Sequence, residues 1–303
     1  MLWQVMTGIG RLLVAAGVLI LLFVAYLLWG TDISAASHQR TLHAQFEHAM
    51  AEGHSTTTTV PLTPSPTVPQ TLVQKLAAGL APPDGDPIAI IQIAKIGLDT
   101  VVVQGTDTND LHLGPGHYDG TPMPGQVGNV GIAGHRTTYG APFYDLNELN
   151  PGDPIDLTTV QGKFSYSVVR SFVVSPSDDS VLDPSSTATL TLTTCNPRFS
   201  ASQRLVVQAD LTGTPLPEPA SRTKPSTLPK TPASDDLAGT QGPWAGAALW
   251  GAAAAVLSFA LWLVVRRRAR TVRLLTYGLG VLPMLVLLYF FFENLNSLLP
   301  ASY

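Results

Sequence analysis

Three stretches of the chain run apolar without a charged residue: Leu12–Trp29, Trp244–Val265 and Leu274–Phe292. Each is about the length a helix needs to cross ~30 Å of hydrocarbon, and none has the polar stripe of a helix lying on a soluble core. The pattern predicts transmembrane helices over 12–31, 244–265 and 274–292. The first run is too long for a secretory signal core, and no small-residue cleavage pattern follows it, so it reads as an uncleaved anchor. Between Asp86 and Gly213 the pattern changes to short apolar or alternating runs. IAIIQI (88–93), DTVVVQ (99–104), NVGIAGH (129–135), PIDLTT (154–159), FSYSVVRSFVV (164–174), TATLTLTT (187–194) and RLVVQADL (204–211) all read as strands separated by Gly, Pro, Asp and Ser turns. Only APFYDLNEL and TDTNDLHL have helical spacing, and both are short. About seven strands at this spacing predict a mainly β domain, a barrel or a sandwich.

Two low-complexity stretches bracket that domain. STTTTVPLTPSPTVPQ (55–70) and TPLPEPASRTKPSTLPKTP (214–232) are too poor in large apolar residues to fold by themselves. The expected organisation is a cytoplasmic N-terminus over 1–11, the first span to 31, and an extracellular Thr/Pro-rich stalk over 32–85. The barrel follows over 86–213, then a Pro-rich linker over 214–243 and the second span over 244–265. An Arg-rich cytoplasmic turn (266–273), the third span (274–292) and an extracellular C-terminus (293–303) complete it.

Composition and charge fit this division. Hydrophobic residues are 45% of the chain and charged residues only 13%. Arg266, Arg267, Arg268, Arg270 and Arg273 crowd the turn between the last two spans, which places that turn in the cytoplasm, as Arg11 does the N-terminus. The segment from Ile33 to Pro243 is then outside. It holds 11 basic against 19 acidic residues, a formal charge of −8, which argues against nucleic-acid binding. The arginine turn suits anionic membrane lipid, although topology alone explains it.

The chain has one cysteine, Cys195, which ends the threonine-rich strand of TLTTCNPRFSASQRLVV. A lone thiol outside the cell forms no internal disulfide; taken alone it reads as a small buried hydrophobe, and with a histidine and an arginine to serve it a nucleophile is the leading reading. Alternation along TATLTLTT turns Leu190 and Leu192 one way and the threonines the other. If this strand neighbours RLVVQAD through the NPRFSASQ loop, Arg204 falls near Cys195, where a guanidinium can donate to an oxyanion. Arg198, in the loop, is its rival. His135 closes the strand of GNVGIAGH sixty residues before the thiol and offers the proton transfers that acyl transfer requires.

With TLTTC and Arg204 downstream, GHRTTYGAPF around His135 and GPGHYDGTPMPGQVGN (114–129) before it, the sequence resembles the sortases, membrane-anchored cysteine transpeptidases of Gram-positive bacteria. The phrasing is most similar to the class E enzymes of actinobacteria. The resemblance covers essentially all of 86–213. It implies an eight-stranded sortase β-barrel with short helices, and His135, Cys195 and Arg204 as the catalytic three. It implies no cofactor. The substrates it implies are secreted proteins bearing an LAxTG or LPxTG-like signal, cleaved between Thr and Gly through a Cys thioacyl intermediate. The acceptor it implies is a cell-wall amine on a peptidoglycan precursor of the lipid II kind.

Two features depart from the minimal pattern. The C-terminal membrane hairpin keeps a pilin-polymerising, class C-like role open, while no Asp-Pro-aromatic lid word precedes the barrel. Asn196 follows the nucleophile, where its backbone N–H can still serve an oxyanion hole. A catalytically inactive binding module on the same barrel is the other alternative; the joint presence of His135, Cys195 and Arg204 argues against it.

Tyr118, Tyr139, Thr194 and Asn196 are candidate substrate-binding residues, with aromatic packing an equal explanation for the tyrosines. His112 and His117 have no companion cysteine or carboxylate at ligand spacing, so no metal site is expected. The histidines at 38, 43, 48 and 54 fit a solvated polar helix before the stalk.

Overall fold

A computed structural model of the protein describes residues 2–55, 72–78, 80–216, 244–266 and 270–296. The chain divides into two compact units, Met1–Thr31 with Thr240–Pro300, and Asp32–Gly239 with the last three residues.

The first unit is helical. Helix α1 (Leu2–Ala25) runs into a π-helical turn at Tyr26–Gly30. The other two helices of this unit, α5 (Trp244–Val265) and α6 (Arg270–Asn296), pack against each other as a hairpin. Phe23 and Tyr26 meet Phe292 and Tyr289 at ring distances of 5.2 and 5.5 Å. Among the described residues three helices are long and apolar enough to cross a membrane, and most of their large apolar side chains are exposed. Arg266 lies with its guanidinium 4.7 Å over the Trp262 ring; residues 267–269 of the arginine turn lie outside the described residues.

In the second unit eight strands close a barrel: β1 (Pro87–Ile93), β2 (Leu98–Gln104), β3 (Gly116–His117), β4 (Gly128–Ala133), β5 (Pro154–Thr159), β6 (Gly162–Val174), β7 (Ala188–Asn196) and β8 (Gln203–Thr212). Their order around the barrel is β1-β2-β3-β4-β7-β8-β6-β5. Closure leaves no long free edge, the usual solution for a small all-β domain. Ile91, Ile93, Ile132, Ile155, Leu157, Tyr166, Leu190 and Leu192 are among the side chains that fill the interior. All seven predicted strands are present; β3, only two residues long, is too short to leave a periodic signal. The two segments with helical spacing yield less helix than expected. Thr108–Leu111 is one turn, α4, and Leu146–Glu148 is a single 3₁₀ turn, with Phe143, Leu146 and Leu149 drawn into the core.

The predicted stalk begins differently. Thr31–Ser55 is an α-helix, α2, and Ala35, Leu42, Phe46 and Ala49 make a buried face at helical spacing. Leu42 packs with Val101 and Val103 of β2. Strand β3 covers only the end of β2, leaving Val101 short of a strand neighbour. The Gln39 amide takes that place: Oε1 accepts from Val101 N–H at 2.8 Å, and Nε2 donates to the carbonyls of Val101 and Leu113. Asp32 accepts from Gly140 N–H at 3.0 Å. The first part of the expected stalk is therefore a helix docked on the barrel, with His38 and His43 half-buried on it. A short helix, α3 (Leu72–Ala77), follows, and Leu76 joins the core. The Thr/Pro-rich run from 56 to 70 and the linker from 217 to 243 lie outside the described residues.

Candidate active site

Strands β4 and β7 pair in parallel, Ala133 beside Thr193. Beyond the strand end the chains stay in step, because Gly134 N–H donates to the Thr193 carbonyl and Thr194 Oγ1 donates to the Gly134 carbonyl, at 3.1 and 2.7 Å. Two residues past Ala133 is His135, and two past Thr193 is Cys195, so the register sets them level on neighbouring strands. On the other side β8 runs antiparallel to β7 with Arg204 directly opposite Cys195. Opposed residues in such a pair have Cβ atoms about 5 Å apart. Cys195 thus has Arg204 opposite it on β8 and His135 level with it at the end of β4. Gly134 permits this course: a Cβ there would meet the Phe143 ring at 2.6 Å, so only glycine lets the strand end lie against that buried ring.

All three side chains are buried. Burial holds His135 well below the ordinary imidazole value, at about 4, and pushes the Cys195 thiol up, against the opposing pull of Arg204 and Arg136. The pair therefore rests at neutral pH as thiol and neutral imidazole. Among the described residues, His135 Nε2 and Arg204 Nε are buried nitrogens without a hydrogen-bond partner. Arg204 is steadied by its Nη1, which donates to the carbonyls of Ala201 and Gln203. Arg198, the rival oxyanion donor, is committed elsewhere. It pairs with Asp145 at 2.7 Å and lies over the Tyr144 ring at 4.0 Å.

The four candidate substrate-binding residues fare differently. Tyr139 stands near the pair, its ring 5.3 Å from that of His135, in a left-handed backbone conformation (φ 51°). Tyr118 is buried, and its hydroxyl shares a 2.9 Å hydrogen bond with Thr193, which lies two residues before Cys195 on the same face. Thr194 sits on the opposite face by alternation, its hydroxyl spent on Gly134; the placement is that of a strand tie, away from the thiol. Asn196 bridges, accepting from Arg136 at Oδ1 and donating from Nδ2 to Gln203.

Two further residues meet this group, His112 beside the His135 and Tyr139 rings and Arg136 at the Cys195 backbone. His112 stacks on Tyr139 at 3.8 Å, 6.2 Å from the His135 ring, and burial with the neighbouring histidines depresses it to about 3. Arg136, next to His135 in GHRTTYG, is buried and donates to the Cys195 carbonyl at 3.0 Å. The signal for Arg136 is a cation directly after a strand-end histidine. His117 is fully buried, its ring nitrogens engaged by Gln104, Pro122 and Thr121, and it pins β3 to the following loop. Among the described residues no group of three His, Cys, Asp or Glu is placed to hold a metal ion.

A thiol with a guanidinium opposite it and an imidazole level with it on the next strand is the set of side chains that cysteine acyl transfer uses. Comparison with known proteins names the family. Residues 91–212 match the Sortase domain. Sortase E1 of Streptomyces coelicolor is 34% identical over 237 residues, covering 73% of this chain and 60% of its own length. Sortase D of Bacillus subtilis is 35% identical over 124 residues, 41% of this chain and 61% of its own. Among solved structures, sortase E of Streptomyces avermitilis is 37% identical, covering 48% of this chain and 98% of that one, with a TM-score of 0.40. The chain belongs to the sortase family, with its likeness to class E as the motifs suggested. It spans about 60% of the length of these two curated relatives.

Proposed function

We propose that this chain is a membrane-anchored cysteine transpeptidase that cleaves an LAxTG or LPxTG-like signal between Thr and Gly and passes the protein to a cell-wall amine. The observation that carries the reading is the strand register that sets Cys195 between His135 and Arg204, each with a buried nitrogen unpartnered among the described residues.

The resting neutral pair sets the order of events. His135 takes the thiol proton as Cys195 Sγ attacks the threonine carbonyl. Charge that burial disfavours on imidazole alone is balanced by the oxyanion formed beside it. Arg204 Nε–H donates to that oxyanion. The tetrahedral species collapses by breaking the Thr–Gly bond, and the imidazolium gives its proton to the glycine amine. A thioester on Cys195 remains. An incoming amine attacks it, losing a proton to His135, and the thiol is released.

The three apolar helices suit a multi-pass anchor with the barrel outside and the arginine turn inside. In a Cys195→Ala background, a cysteine at position 269 should resist an impermeant thiol reagent on intact cells; ready labelling reverses the orientation. The enzymatic reading is tested with a panel of sorting pentapeptides and candidate amines, read by mass spectrometry. Amine-linked products cut after threonine support it. Absence of any cut with the whole panel contradicts it.

A further inference from the structure

We propose that Arg136 is a positioning residue for the transfer reaction, holding the backbone of Cys195 and the chain of His135 in one frame. The inference rests on the transpeptidase reading and deepens it.

The Arg136 guanidinium has five N–H donors in a rigid plane, and its bonds leave in three directions. Nη1 donates to the Cys195 carbonyl at 3.0 Å and to Asn196 Oδ1 at 2.7 Å. Nη2 donates to Asn147 Oδ1 at 2.8 Å, and Nε to the Tyr144 carbonyl at 3.4 Å. Asn196 in turn donates to Gln203, the residue that precedes Arg204. One cation therefore connects the end of β7, the start of β8 and the Tyr144–Asn147 segment, and it is covalently next to His135.

That position is informative. The β4–β7 ladder ends at Ala133; one step on, the hydrogen bonds at Gly134 keep the chains level, and Arg136 adds a tie on the far side of His135. The His135–Arg136 peptide is held at its carbonyl by Phe143 N–H, at 3.1 Å, and the Arg136 side chain ties the same stretch to the Cys195 carbonyl and to Asn196 on β7. A displacement of about 1 Å between reacting groups is enough to cost on the order of 10²-fold in rate. Arg204 is the better placed oxyanion donor: four of the five Arg136 N–H groups are spent on protein acceptors, whereas Arg204 Nε is spent on none among the described residues. The Arg136 charge acts in the same direction as Arg204, drawing the Cys195 thiol toward thiolate against the effect of burial. Lysine can keep that charge but cannot hold these acceptors in a plane.

The test compares the full chain in detergent with Arg136→Gln, Arg136→Lys and Asn147→Ala, the last removing one exposed acceptor of the guanidinium. Three quantities are read: kcat and KM for a sorting peptide that the unaltered chain turns over, and the pH midpoint of Cys195 alkylation. In Arg136→Gln, kcat should fall on the order of 10²-fold with KM within about 3-fold, and the alkylation midpoint should rise. Arg136→Lys should restore the midpoint but not kcat. Asn147→Ala should lower kcat by a smaller factor. Should Arg136→Gln not fold, the last two variants decide. A folded Arg136→Gln with kcat near that of the unaltered chain overturns the proposal. So does full recovery of kcat by lysine, or, in Arg136→Gln alone, a loss of activity with the alkylation midpoint unmoved. Failure of the unaltered chain to turn over any peptide is a different result, and it counts against the transpeptidase reading itself.

Discussion

The two ends of the β4–β7–β8 face differ in how completely their polar groups are bonded. Toward the end where β4 and β7 begin, Thr191 Oγ1 donates to Asn129 Oδ1, Gln208 Nε2 to Thr191, and Arg170 Nε to Gln208 Oε1. Asn129 Nδ2 donates to the carbonyls of Val181 and Asp183 and ties down the loop between β6 and β7. At the other end, beside Cys195, His135 Nε2 and Arg204 Nε are buried with no partner among the described residues. Leaving a buried polar group unbonded costs about 1–3 kcal/mol. One end thus uses its hydrogen bonds to hold shape, and the other keeps two in reserve beside the only thiol. In the transpeptidase reading proposed above, the substrate carbonyl completes the bonding there.

Breaking the reserved end should have the larger effect. Arg204→Lys keeps the charge and loses the planar fork, and kcat should drop on the order of 10²-fold or more, as for a lost oxyanion donor. Steady-state peptide cleavage measures it, and a variant within a few-fold of the parent would transfer the oxyanion role elsewhere.

The protonation of the pair sharpens the contrast next. With the thiol pushed up and His135 held at about 4, thiolate appears only as pH rises through a value above the ordinary thiol range of about 8.5. The rate of Cys195 alkylation should therefore keep climbing past about pH 8.5. A plateau reached by about pH 7 would signal a resting thiolate–imidazolium pair instead.

The smallest catalytic effect belongs to the fully bonded end. Thr191→Val removes the donor to Asn129 and the acceptor of Gln208. It should lower unfolding stability by about 1–3 kcal/mol, read by denaturant titration, with kcat little changed. A variant of full stability and poor activity would place that network in the chemistry.

Much of the site is legible in the sequence because strand alternation and register are local properties. Leu190 and Leu192 share one face of their strand; Cys195 falls on the other with the odd-numbered threonines, and the NPRFSASQ loop returns Arg204 to it. The His135–Cys195 meeting depends on a parallel pairing between strands sixty residues apart, which periodicity cannot express. The motifs point to it only through their family resemblance. Arg136 escapes because two of its four acceptors are backbone carbonyls, those of Tyr144 and Cys195, which no side-chain pattern reveals. The docking of α2 escapes for a related reason. Its buried face has two alanines among four residues, and the amide that caps β2 is an ordinary glutamine in a polar run.

That Cys195 forms the acyl bond is the central claim, and trapping that bond tests it most directly. The full chain is incubated with a sorting peptide and no amine, quenched in acid, digested and analysed by mass spectrometry. The expected result is an adduct of the peptide acyl group, ending at threonine, on the fragment containing Cys195, released by hydroxylamine and absent in Cys195→Ala. Peptide cleavage by Cys195→Ala, or an acyl group found on any other residue, would contradict it.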